Sequence, residues 1–147
     1  MQILIDADGC PVIDIAIKLA QEYKLSCVLL CDTSHEFSKQ GATTITVEKG
    51  ADSVDFALVN KVQAGDIVIT QDYGLACMCL AKKAVPISQD GLIYDNNNID
   101  ALLLQRHCAK KIRMAGGRLH GSSKRTALQD KKFQEEFIKL ISSLPAK

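Results

Sequence analysis

The stretch "QILIDADGCPV", residues 2–12, decides the fold. Gln2 to Asp6 read as a strand with an unbroken apolar interior, Ile3-Leu4-Ile5. Such a strand is covered on both faces, as central strands of parallel sheets are. It runs out at Asp6, Asp8 follows in the next loop, and Pro11 suits the first turn of a helix, where its missing N–H is not needed. Isolated charges are costly to bury. Two carboxylates at the mouth of a strand–loop–helix unit therefore either point to water or act together.

Outward from that unit the same alternation repeats. Further strand signals fall at 27–31 (CVLLC), 43–47 (TTITV), 67–70 (IVIT) and 84–88 (AVPIS). Helical patterns lie between them: Val12, Ile15, Ala16, Leu19 and Ala20 form one apolar stripe, and Val54, Leu58 and Val62 form another that Gly65 ends. Leu75 to Lys82 suits a shorter helix. The reading is an α/β fold in three layers, a mostly parallel central sheet with helices on both faces. Residues 1–96 form this core, and 97–147 add a helical, basic C-terminal region within a single domain. There Ile99 to Met114 read as one helix, 115–125 (AGGRLHGSSKR) as a polar glycine-rich loop, and the rest as a final helix. That helix opens with Thr126 and Gln129 in capping-box spacing and carries the stripe Phe133, Phe137, Ile141 and Leu144.

With 147 residues, 47% hydrophobic and 24% charged, the chain is an ordinary globular protein with enough length for a sizeable core. Aromatics are only 5% and Trp is absent, so Ile, Leu, Val and Ala must fill that core. No apolar run reaches the roughly 18 residues of a membrane span, and the N-terminus lacks a signal-peptide pattern; the expected location is the cytoplasm. Six cysteines are scattered without a CxxC pair. They read as reduced, small packing residues rather than zinc ligands.

The net charge of +1 hides a split. Residues 1–104 carry 7 Lys/Arg against 14 Asp/Glu, whereas 105–147 carry 11 against 3. An acidic cluster and a basic surface in one molecule suit a cation and a phosphate-bearing partner respectively.

The acids have candidate places. Ligands of open α/β sheets sit beyond the carboxyl ends of the strands. Asp6 ends the first strand, Asp8 follows, and Asp72 lies just beyond "IVITQ" on the same rim. "GADSVD" supplies Asp52 and Asp55 at the start of a helix, with i, i+3 spacing on one face. Carboxylates converging from three segments form a hard oxygen site that selects Mg²⁺ or Mn²⁺, with Asp6, Asp8 and Asp72 as ligands. Each acid taken alone has a plainer role: Asp52 and Asp72 as helix caps, Asp55 as a solvated helix charge, Asp66, Asp90 and Asp95 as turn residues.

On the late helix Arg106, Lys110 and Arg113 share one face, with His107 and Lys111 alongside, and Arg118, Lys124 and Arg125 decorate the loop beyond. This is the footprint of a nucleic-acid backbone, or else a solvated basic face. "GGRLHGSS" approaches a phosphate loop, but Ser122 stands where that motif requires Lys, and a helix precedes it. His35 and His120 have no visible partner. Tyr73 borders the rim or packs, and Cys10 reads as packing rather than as a nucleophile.

Taken together, "IDADGCPV", "GADSVD", "GDIVITQDYGLA" and "GSSKRTALQDKKF" resemble the YaiI/YqxD family of uncharacterised bacterial proteins, over nearly the whole chain. In that resemblance Asp6 and Asp8 match the first acids, Asp52 and Asp55 the middle pair, Asp72 the strand-end acid, and Arg106 and Arg113 two arginines of a late helix. Gly9 stands where the family pattern has Ala, and the 115–125 loop lacks the proline-rich, Phe-containing form. The family is similar to PIN-like domains, nuclease-related α/β folds whose clustered acids bind divalent metal. The resemblance implies a metal-dependent nuclease with Asp6, Asp8, Asp52, Asp55 and Asp72 as its catalytic acids, and with RNA as substrate by analogy. One alternative is a non-catalytic nucleic-acid-binding or interaction protein with a PIN-like shell. Another is a haloacid-dehalogenase-like phosphatase using Asp6 as nucleophile, since "ILIDADG", "CVLLCDT" and "GDIVITQD" resemble that superfamily's motifs. Against the phosphatase stand the short chain, no convincing cap segment and no Thr after the DxD pair.

Overall fold

Strand β1 (Gln2–Asp6) is the axis of the molecule. A computed structural model describes residues 1–34, 38–117 and 124–144. In it β1 pairs on one side with β2 (Ser26–Asp32) and on the other with β4 (Ile67–Ile69), aligning Ile3 with Cys27 and Ile67. Strand β3 (Thr43–Val47) extends the sheet beyond β2, and β5 (Val85–Ile87) beyond β4. The order is β3-β2-β1-β4-β5 and every pairing is parallel. All strands therefore present their carboxyl ends at one edge.

The unbroken apolar runs have the physical cause the sequence suggests. Alternate residues of each strand face opposite sides, and both sides are dry. Ile3, Ile5, Leu29 and Ile69 pack against α1 (Ile13–Glu22) and α5 (Ala127–Ser143), where Phe133 and Phe137 stack with centroids 5.2 Å apart. Leu4, Val28, Leu30 and Val68 face α2 (Ser53–Lys61) and α3 (Tyr73–Ala81) through Leu58, Leu75 and Cys79. Helix α4 (Ile99–Met114) lies outside α3, joined by a smaller cluster of Ala76, Tyr94 and Ile99. Only Ile99 of α4 is buried, so most of this helix stands in water.

The helices end where local chemistry says they should, with two differences. At the start of α5 the Thr126 N–H donates to Gln129 Oε1 at 2.8 Å, and the Gln129 N–H donates to the Thr126 carbonyl at 3.2 Å. Pro11, however, lies two residues ahead of the first residue of α1 and outside its first turn, and Val12 takes the cap position without a side-chain bond. Among the described residues no helix is long and apolar enough to cross a membrane.

At the amino-terminal edge of the sheet Asp66 is more than a turn residue. It is 1% exposed, and its carboxylate accepts from the Gln2 amide (3.2 Å), the Gln2 side-chain amide (3.0 Å) and the Gln63 amide (2.9 Å). It ties the start of β4 to the start of β1.

Candidate functional site

At the opposite edge the strand ends bring the acids into one neighbourhood. Asp6 closes β1, and Asp72 begins α3 just past β4. The link between them is Thr70, which is 2% exposed. Its hydroxyl donates to Asp6 Oδ2 at 3.1 Å and accepts the Asp72 backbone N–H at 3.0 Å. Tyr94 donates its phenol to the Thr70 carbonyl at 3.2 Å and holds that turn from behind. Tyr73 packs edge-on against Tyr94 with centroids 5.9 Å apart. Asp72 accepts the Leu75 N–H at 3.1 Å, so it is the true cap of α3.

Asp52 and Asp55 arrive from α2. Asp52 occupies the cap position of that helix with φ +60°, the left-handed region that non-glycine residues enter rarely, and its side chain makes no cap bond. The plain capping role is thus unfilled, and Asp52 shares with Asp55 an open groove that also borders Asp72 and Arg106. Asp55 lies close enough to Asp72 to feel its charge. Asp8 joins Asp6 on the other side of the rim, around a cavity of about 60 Å³ bounded also by Cys10, Thr70, Gln71 and Gln89. That volume is several times the minimum for one water. Gly9 lets the loop turn there, with φ +71°, and a Cβ added at it would meet nothing within 4 Å.

The electrostatics follow from this crowding. Burial pushes the Asp6 carboxyl up to about 6; the Thr70 hydrogen bond opposes the rise, and the charges of Asp8 and Asp72 add to it. Asp55 also rises to about 6, first through desolvation and then through Asp72, Asp6 and Asp52. Each carboxylate thus feels the others across segments that are remote in the chain. A cation would relieve that repulsion, and hard, all-oxygen donors suit a divalent one. The positions are not those of a closed coordination shell: among the described residues no three Asp, Glu, His or Cys side chains stand together at metal-binding distance. Asp72 shows why, because its Oδ1 serves the Leu75 amide and lies 3.6 Å from Arg106 Nη1.

The basic residues divide. Arg106 reaches the acidic groove while remaining largely exposed, and Lys110 and Arg113 project from the same face of α4 into solvent. Lys124 is exposed. Arg125 departs from the expectation of a free phosphate contact. Its guanidinium bonds Asp90 (2.8 Å), Asp130 (2.7 Å) and the Gln89 carbonyl (2.7 Å), which leaves little of it for a ligand. Asp90 is correspondingly an anchor as well as a turn residue. Arg118, His35 and His120 lie outside the described residues, as does most of the glycine-rich loop. Cys10 borders the small cavity, and burial raises its thiol pKa, so it stays protonated and unreactive at neutral pH.

Thr70, Gln71 and Gln89 are the site residues that motif reading misses. A threonine at the end of "IVIT" reads as an ordinary strand former; only its register beside Asp6 reveals the hydroxyl bridge. Gln89 N–H bonds Gln71 Oε1 at 2.9 Å, a contact across 18 residues that no spacing rule encodes.

A sheet edge of this kind, with acids from three segments and an arginine helix beside it, matches a family by sequence. Residues 4–143 match the pattern described as "Uncharacterized BCR, YaiI/YqxD family", and the chain belongs to that family. A "UPF0178 protein" of Exiguobacterium sibiricum is 51% identical over 142 residues, which cover 97% of each chain. Another, of Ruminiclostridium cellulolyticum, is 50% identical over 96% of this chain and 92% of the relative. A third, of Clostridium acetobutylicum, is 47% identical over 96% and 97% respectively.

Proposed function

We propose that the chain is a divalent-metal-dependent phosphodiesterase of PIN-like type that cleaves nucleic acid, with RNA as the substrate class. One observation carries the reading: carboxylates from β1, from the start of α2 and from the start of α3 share one edge, where burial first and the neighbouring acids second push Asp6 and Asp55 to about 6. Asp6, Asp8 and Asp72 would hold Mg²⁺ or Mn²⁺, which supplies an activated water and stabilises the leaving oxygen. The chain's own residues do the rest. Thr70 fixes the Asp6 carboxylate from one side. Asp55, whose carboxyl is pushed up to about 6, is suited to accept a proton at neutral pH. Arg106 offers a guanidinium to a phosphate, and Lys110 and Arg113 extend the positive stripe along α4.

The test is cleavage of single-stranded RNA with Mn²⁺ by the wild type, Asp6→Asn and Asp72→Asn. Turnover by the wild type alone is expected; equal turnover by all three would mark a contaminant and remove the reading. A second reading, a nucleic-acid-binding protein without turnover, draws on the Arg106–Asp72 pair, which already neutralises one acid from within. Steeply salt-dependent binding with no metal-dependent cleavage is its signature.

A further inference from the structure

Phe56 stands on the outer side of α2. On α2 the neighbouring Leu58 is fully buried against the sheet, and Phe56, two residues away, falls on the other side of the helix. It is 59% exposed, whereas Phe133 and Phe137, the other phenylalanines among the described residues, are wholly buried. A large aromatic left in water adds nothing to folding. Its position is specific, however. Phe56 lines the groove of about 450 Å³ that holds Asp52, Asp55, Asp72 and Arg106. The other strongly exposed apolar side chains, Leu104, Met114 and Leu128, lie elsewhere.

We propose that Phe56 is a base-stacking platform that makes the acidic groove selective for single-stranded nucleic acid. An aromatic face and a guanidinium lining one groove are a combination that binds single strands: the ring stacks a base of any identity while the cation holds the backbone. In a duplex the base faces are already stacked on their neighbours, so the platform has nothing to receive. This rests on the proposed nucleic-acid function and adds the strandedness of its substrate and a residue that sets it.

The absence of Trp from the chain makes the test direct. Phe56→Trp introduces a single indole reporter, to be titrated with oligoadenylate, with the same oligomer made abasic, and with a blunt duplex, in Ca²⁺ to limit turnover. Quenching by oligoadenylate alone is expected. In parallel, Phe56→Ala and Phe56→Leu should weaken oligoadenylate binding by about 5- to 150-fold and leave abasic-oligomer binding unchanged, while Arg106→Gln should weaken both. If Phe56→Ala and Phe56→Leu bind oligoadenylate like the wild type, or if abasic and intact oligomers quench equally, the platform is refuted and the nuclease reading stands. If the wild type binds none of the oligomers, both are refuted.

Discussion

The two edges of the sheet treat their carboxylates in opposite ways: Asp66 is buried and Asp6 is half-buried. At the amino-terminal edge Asp66 receives three donors and completes a tie between β1 and β4. At the carboxyl-terminal edge Asp6 receives one, from Thr70, and shares its surroundings with Asp8 and Asp72. The first arrangement is a stability device, because a satisfied buried carboxylate strengthens the fold. The second is costly to the fold, since burial and like charges both oppose ionisation. Destabilised clusters of this kind collect at functional sites.

The largest effect expected from breaking this contrast lies at the stable edge. Asp66→Ala strands the Gln2 and Gln63 donors and should lower unfolding free energy by about 3 kcal/mol, read by urea denaturation at pH 7. At the other edge a bound cation should reverse the penalty. Mn²⁺ at a hundred times its dissociation constant should stabilise the wild type by about 2.7 kcal/mol and leave Asp6→Asn unmoved in a thermal melt.

A smaller effect follows from proton linkage in the cation-free protein. The folded pKa of Asp6 is raised from 3.8 to about 6, so between those values the folded state holds more protons than the unfolded state. Stability from this group is therefore greatest below pH 4 and is lost as pH rises toward 6; Asp55 acts in the same direction. Asp6→Asn should raise stability at pH 7 by about 1–2 kcal/mol, allowing for partial solvent screening, and flatten that part of the pH profile. Least of all, Arg106→Gln should cost under about 1 kcal/mol, because its 3.6 Å pair with Asp72 is largely exposed.

Local pattern and long-range contact divide what the sequence discloses. The strands at 2–6 and 43–47 and the helix at 99–114 coincide with β1, β3 and α4; burial on both faces marks β1, and the β-branched run Thr43-Thr44-Ile45-Thr46-Val47 marks β3. That Asp6 and Asp72 lie at one edge follows from parallel topology, since parallel strands end together, and Asp55 comes from the first turn of α2. Three features are not legible in this way. Asp66 sits in "AGD", which reads as a turn whether or not its carboxylate is buried. Arg125 finds Asp90 and Gln89 some 35 residues away, so its charge looked free. Thr70 depends on a register with β1 that no short motif states.

The most direct test of the central claim is anomalous scattering from a crystal soaked in Mn²⁺. The account predicts a peak beside Asp6 and Asp8, with Asp72 drawn away from Arg106 toward it. A fully soaked crystal with no peak at that edge, and Asp72 still held by Arg106, would contradict it.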